Sequence, residues 1–420
     1  MILLWSCRYA EIARLLSFMG AVVLLWGVLP ALWVHAETLI VPSANLRSNY
    51  DSNIYRRPKQ LLPPGTQVAD FVNRFGADIA LLHKTRDIDV DMKMGATFNS
   101  YVENTNRNYV GATLIGHIGL DHWIDQYVRG ATLRIGENLR YTPEPPSFLQ
   151  GVRDLPPDAG LATGIQAFRA NTLYNTTMVN GSYPVSRDLS VEGGYQWVLR
   201  RIGRAQGGDL PGTVFFDTMA HTWYGGPRYL LTRNDSVAVL YRQTFITQSA
   251  AQGGRNFDTN LIVLAGDYTK EFQEWSFTIE GGITFAEPVG RTFPSGKLEV
   301  KTQPERDTAV YLRLSRQGMP SYFLQGGATI SNVASMGISH KIYERLILDG
   351  IVSFGYNEYF PNTNRKLQNI QASAKLAYKL TRSITGELFY IYQNIDANTS
   401  SVQFQYSRNQ AGLLLTVAWE

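Results

Sequence analysis

The sequence predicts an all-β protein, a transmembrane antiparallel β-barrel of about 18 strands (16 to 18), with short periplasmic turns and longer extracellular loops. Three observations predict it. Apolar and polar residues alternate at period two in window after window. Short turns of similar chemistry join those windows in pairs, with longer polar connections between the pairs. An export-type segment opens the chain, and no apolar run of 18 or more follows it.

The opening segment, residues 1–36, reads as a cleaved signal peptide. Arg8 and Arg14 give a positive start, Leu15 to Trp33 an apolar run, and Val34–His35–Ala36 a small-residue cleavage site. Residues 37–420 then form one barrel domain, because no Ser/Gly linker, charge run or low-complexity tract divides them. The one cysteine, Cys7, lies before the cleavage site, so the processed chain has no disulfide and no cysteine metal site. It keeps 37 basic and 34 acidic residues, which is not a nucleic-acid charge profile; 27 of the 37 are arginine, whose planar fork suits carboxylates and phosphates.

The alternation is explicit in four windows. In Ile88–Phe98 the residues Ile88, Val90, Met92, Met94, Ala96 and Phe98 share one face, with Asp87, Asp89, Asp91 and Lys93 on the other. Leu189, Val191, Tyr195 and Trp197 oppose Glu192 and Gln196, and Trp275, Phe277, Ile279 and Ile283 oppose Thr278 and Glu280. Ile384, Leu388 and Tyr390 continue the theme. Helical spacing fits none of them.

Eight short turns are expected at 84–87, 120–125, 186–188, 232–235, 270–275, 315–317, 341–346 and 381–383, where Ser, Thr, Asp and Asn bond nearby backbone. Longer connections are expected at Arg56–Thr66, Thr142–Ala159, Arg201–Gly212, Gln248–Arg255 and Glu287–Pro304. Seventeen links imply 18 strands. Asn45–Arg56 is expected as the first strand, and the alternating end Ala411–Trp419 as the last. A soluble solenoid or propeller would show a regular repeat, and the turn spacing is irregular.

The stretch Tyr50–Asp51–Ser52–Asn53–Ile54–Tyr55 resembles the opening strand of the putative β-barrel porin family of Gram-negative bacteria. The resemblance implies an outer-membrane barrel, often tied to loci for exopolysaccharide production and export. It gives no role to Tyr50, Asp51, Asn53, Ile54 or Tyr55. Their chemistry suggests an Asx-type turn at the outer mouth, and Asp51 and Asn53 carry too few carboxylates for a calcium loop.

If the apolar stripe faces lipid, parity sends Arg134, Arg200, Arg242, Arg313, Lys93, Lys375, Asp78, Asp89, Asp91, Glu192, Glu280 and Glu387 into the pore. Such charges either pair and brace the wall or set a selectivity field. Trp197 and Trp275 fall on the apolar stripe and read as membrane girdle. The function expected is a porin-like channel in the bacterial outer membrane, without catalysis, cofactor or metal. Its permeant would be polysaccharide or another polar solute, its partners outer-membrane lipid, the barrel-assembly machinery and periplasmic export proteins. The alternatives are an outer-membrane enzyme acting on lipid and an adhesin-like barrel with a plugged lumen. No Gly-x-Ser-x-Gly elbow or His-Glu-x-x-His helix appears, the histidines are scattered, and Ser339 and His340 point to opposite faces.

Overall fold

The computed structural model describes residues 37–143, 170–205, 216–250, 257–288, 290–320, 328–360, 366–398 and 403–419. They form 18 strands: β1 (Glu37–Asp51), β2 (Asp70–Lys84), β3 (Asp89–Tyr101), β4 (Tyr109–Gly119), β5 (Thr132–Thr142), β6 (Ala170–Pro184), β7 (Leu189–Ala205), β8 (Phe216–Leu230), β9 (Asp235–Ala250), β10 (Phe257–Glu271), β11 (Trp275–Glu287), β12 (Arg291–Glu305), β13 (Thr308–Pro320), β14 (Ala328–Tyr343), β15 (Leu346–Phe360), β16 (Lys366–Lys379), β17 (Ile384–Asn398) and β18 (Gln403–Ala418). Each pairs antiparallel with its neighbours in chain order, and β1 pairs with β18 from Ser43↔Ala418 to Asp51↔Gln410. The ring is closed, so the wall has no free strand at either end. That is the condition for placing a sheet in hydrocarbon, where backbone groups find no water.

The two faces follow from register. The alternating stripe Phe71, Phe75 and Ile79 of β2 is half exposed (56%, 53% and 48%), as are Ile279 and Ile283 of β11 and Leu413 of β18. Such a belt of bared large apolar side chains would be costly in water and is favoured in lipid. The opposite parity carries most of the ion pairs and faces the lumen, for example Asp78 with Lys93 and Arg313 with Glu299.

Eight short connections lie at one end: after β2, β4, β6, β8, β10, β12, β14 and β16. The chain enters at β1 and leaves after β18 at that same end, which is the periplasmic one. Thr85, Ser186, Thr232 and Thr381 stitch four of these turns, each hydroxyl accepting backbone N–H groups two and three residues on, or the first of them, as at Asn234. The link after β4 is longer and carries one turn of helix, α1 (Asp121–Asp125).

Three expectations are corrected. The first strand is Glu37–Asp51, not Asn45–Arg56: pairing with β2 begins at Glu37↔Lys84, and the chain turns at Asp51 because its carboxylate accepts the Asn53 N–H at 3.0 Å. Residues 315–317 are no turn; they lie inside β13, paired with Val333, Asn332 and Ser331. Glu287–Pro304 is no loop; it is mostly β12, paired with β11 on one side and β13 on the other. The true turn after β12 is Arg306–Asp307. The count of 18 stands because one false turn replaced one missed turn. Most of Thr142–Ala159, and residues 206–212 and 251–255 of two other expected connections, lie outside the described residues, as do residues 1–36.

Candidate functional site

Two segments fold into the outer mouth. The first follows β1. Asp51, 2% exposed, accepts from Arg408 Nε (2.9 Å to Oδ1, 3.1 Å to Oδ2) and from Gln410 Nε2 (3.1 Å), both on β18. Asn53 donates through Nδ2 to the Arg57 carbonyl (2.9 Å), and Arg56 takes a left-handed φ of 55°. This tight path drives Ile54 (1% exposed) and Tyr55 inward, where they pack with Leu62, Val72 and Tyr101. Tyr55 Oη donates to Asn104 (2.9 Å), and the Arg107 guanidinium lies 5.1 Å from its ring centre. Asp70, opposite Asp51 in register, caps the neighbouring loop by accepting the N–H groups of Val102, Glu103 and Asn104. The Tyr50–Tyr55 motif is therefore a strand end and inward turn, not a strand.

The second segment is the outer part of β13 and β14. Pairing of β12 with β13 reaches Gly296↔Arg316 and goes no further, although both strands continue. Beyond it Ala328, Thr329, Ile330 and Ser331 are all buried, so both faces of β14 are covered. Ala328 and Ile330 pack with Val198, Ala220, Ile246, Leu261, Ala286 and Phe293, which line the inner wall of β7 to β12. A Cβ at Gly318 would lie 3.0 Å from the Phe293 ring and 3.3 Å from Leu261, so this close approach favours glycine. β13 parts from β12 here while β14 stays paired with β15 to Ala328↔Phe360, so this edge of the sheet curls over the inner face of β7 to β12. An apolar lumen patch was not expected, since period two says which face a residue shares but not that a neighbouring strand will fold over it.

The charged residues divide along the barrel axis. In the periplasmic half bases and acids form ion pairs and small clusters. Lys93 meets Asp78 (3.8 Å), Arg242 meets Glu280 (3.6 Å), and Lys375 meets Asp349 (3.0 Å). Glu299 receives Lys297 (3.1 Å), Lys301 (2.6 Å) and Arg313 (2.6 Å). Glu192 meets Arg228 (2.7 Å), which also holds Asp267 (3.0 Å). Arg134 binds Asp121 of α1 at the periplasmic rim (3.0 Å). Asp89 and Asp91 lie at the periplasmic end of β3, and Glu387 at that of β17, on the same parity as these pairs.

Toward the outer mouth the inward parity carries Arg74, Arg140, Arg200 and Arg408, with Asp51 and Asp70 its acids among the described strand residues. Arg74 Nε donates to the neutral Asn99 amide (2.7 Å) and Arg47 Nε to that of Asn49 (3.1 Å), while the Arg47 guanidinium lies 4.0 Å over the Phe389 ring. Arg140, Tyr174 and Arg200 are direct register partners across β5, β6 and β7, and Arg200 is 1% exposed. Sequence parity named Arg200 but missed Arg74, Arg140, Arg228 and Arg408, whose partners are set by register between distant strands. Of the histidines, His340 bonds Thr308 and His221 bonds Tyr195, on separate strands; Ser339 is buried on the opposite face from His340. Among the described residues no three His, Cys, Asp or Glu gather as a metal site.

A family model described as putative beta-barrel porin 2 matches residues 295–418, from β12 through β18, at the opposite end of the chain from the Tyr50–Tyr55 motif. No curated protein matches. Among solved structures, Pseudomonas aeruginosa OccK1 (OpdK) aligns with TM-score 0.46 and 11% identity, covering 90% of this chain and 99% of that one. Pseudomonas aeruginosa OpdQ aligns with TM-score 0.41 and 12% identity (91% and 97% covered), and Acinetobacter baumannii OccAB3 with 0.42 and 11% (90% and 99%). The chain is a porin-like barrel of the bacterial outer membrane, similar to the putative β-barrel porins.

Proposed function

We propose that this outer-membrane barrel is a channel preferring anionic polar solutes, selected at a narrowed, arginine-rich outer mouth. One observation carries the reading: inward arginines gather in the outer third, whereas the deeper bases stand in ion pairs and small clusters with acids. Matched pairs brace the wall and cancel their field at a distance. Asp51 is paired with Arg408, and Asp70 keeps its charge while accepting backbone N–H groups, so the four inward arginines outnumber the two acids. A low-dielectric constriction strengthens such a field, because fewer waters screen it. Solutes carrying carboxylate or phosphate suit the guanidinium fork.

A polysaccharide bearing carboxylates would meet the same arginines, and the resemblance to families in exopolysaccharide loci favours that permeant as a second reading. Passage of a polymer requires the two inward segments to move aside. A deletion strain that secretes its polysaccharide at the normal level would remove this second reading.

The test is a refolded protein in a planar bilayer under a KCl gradient. A reversal potential on the chloride side is the expected result. Absence of channel events, or cation preference, would overturn the proposal; turnover of phospholipid by the same preparation would favour an enzyme.

A further inference from the structure

We infer that the lipid-facing side of β5 to β8 is where a second copy of this chain docks within the membrane. The outward parity elsewhere carries no acid through the middle of the wall: it shows Phe71, Phe75 and Ile79 on β2, Val352 and Phe354 on β15, Leu413 and Leu415 on β18, and a neutral amide, Gln243 of β9, that bonds Asn260. Outward charges such as Asp258, Lys270 and Glu287 stand at strand ends. Glu137 breaks this rule. It lies at the middle of β5 between the outward Ile135 and Leu139.

The exception is a cluster. Glu137 Oε2 accepts from Thr177 Oγ1 of β6 at 2.6 Å, and Thr177 lies 3.5 Å from Asn175 on the same face. Glu137 Oε1 is buried with no hydrogen-bond partner among the described residues. On β7 and β8 the Tyr195 hydroxyl shares a hydrogen bond with His221 Nδ1 (2.7 Å), and the Tyr195 ring packs 4.5 Å from Trp223. Three outward ionisable or amide groups and a histidine gain nothing from hydrocarbon. A carboxylate held there is costly, and a polar partner over the cluster lowers that cost.

The cluster fits a second copy because its two sides are complementary. Acceptors (Glu137, Asn175) stand on β5 and β6; groups able to donate (Tyr195, His221) stand on β7 and β8. Glu137 is the sixth residue of β5 and Tyr195 the seventh of β7 counted from the periplasmic end, so they lie at similar depth. Ile135, Val179 and Tyr195 are register partners across β5, β6 and β7. A two-fold axis along the membrane normal beside Val179 exchanges the flanking strands. It sets Glu137 of one copy against the Tyr195–His221 pair of the other, twice over, as an isologous contact demands.

The test uses the full chain in its own membrane, with Cys7→Ser removing the one native thiol. Val179→Cys reports the predicted axis and Val352→Cys, on the far wall, serves as control. On mild oxidation Val179→Cys is expected to give a disulfide-linked band of twice the monomer mass, at least five-fold more than Val352→Cys. Equal cross-linking at both positions, or an adduct of any other mass, overturns the inference. Glu137→Leu on the Val179→Cys background is expected to cut the dimer at least ten-fold while the barrel still shows its heat-dependent gel shift. A dimer unchanged by that substitution removes the polar cluster as its basis, and the cysteine pair decides the contact if the leucine variant fails to assemble.

Discussion

The Arg408 guanidinium closes on the Asp51 carboxylate with both oxygens engaged, across 357 residues of chain, where β18 meets β1. Both side chains are buried, so neither can fall back on water. The contact joins two functions of the same place: it fastens the ring at its outer rim, and it fixes the turn that sends Ile54 and Tyr55 into the lumen.

Asp51→Ala leaves a buried guanidinium without its acid. Breaking a buried pair by removing one partner costs about 3–5 kcal/mol. The variant is expected to lose its heat-resistant folded band at a lower temperature than the parent. Asp51→Ala with Arg408→Met should recover part of the loss, because no buried charge remains. Equal destabilisation of the single and double variants would show that the pair is not coupled.

Arg140→Gln removes one guanidinium from the row with Tyr174 and Arg200, and Arg74→Gln one from beside Asn99. Each should move the reversal potential toward zero in a KCl gradient, and the double variant further. Glu299→Gln should move it the other way, since Lys297, Lys301 and Arg313 would then share no acid.

Gly318→Val forces a branched side chain onto Phe293 and Leu261. Overpacking of this kind costs about 1–3 kcal/mol. Because the pressure falls where β13 has parted from β12, the expected result is a displaced outer β13–β14 segment: higher single-channel conductance and faster proteolysis in the outer portion, with the gel shift of the barrel kept.

Phe75→Arg puts a charge on the lipid face and should cost about 2–4 kcal/mol at mid-depth. Ile115→Arg puts the same charge in the lumen, where Ile115 is solvent-accessible, and should fold within about 0.5 kcal/mol of the parent. Denaturant titration of both in the same lipid checks the assignment of faces. Similar losses for the two would mean that parity slips between β2 and β4.

The fold was legible wherever a strand has lipid on one side and water on the other. Val90, Met92, Met94, Ala96 and Phe98 alternate cleanly because each second residue of β3 meets a different solvent. Legibility failed at β12. Pro294 and the Pro-Ser-Gly run read as loop, yet β13 does not pair beyond Gly296, so Pro294 has a strand on one side only, an edge position where proline is tolerated. It failed again at residues 315–317, where Ser, Arg and Gln carry turn chemistry but Ser315 and Gln317 take the inward parity and Arg316 bonds Asn332 and the Pro294 carbonyl.

The candidate site was legible in kind but not in arrangement. Parity put Glu192, Glu280 and Arg242 on the inner face, yet the partner Arg228 is found only through pairing of β7 with β8 and β8 with β9. The motif around Asp51 pointed to a turn at the mouth; nothing local pointed to Arg408. Glu137 was visible as a charge within an apolar alternation, a signal that becomes meaningful once the outward face is fixed.

The parting of β12 from β13 also sets the waterline. Backbone groups of Arg291–Ser295 on the deserted side have no strand to bond, so they cannot sit in hydrocarbon. Below the parting β12 keeps Gly296–Glu305, the length that a tilted strand of ~9–11 residues needs to cross. Arg316, at that level, donates to the bared Pro294 carbonyl at 3.1 Å, as befits a side chain among headgroups. The rim is notched here, where β12 loses its neighbour beyond Gly296.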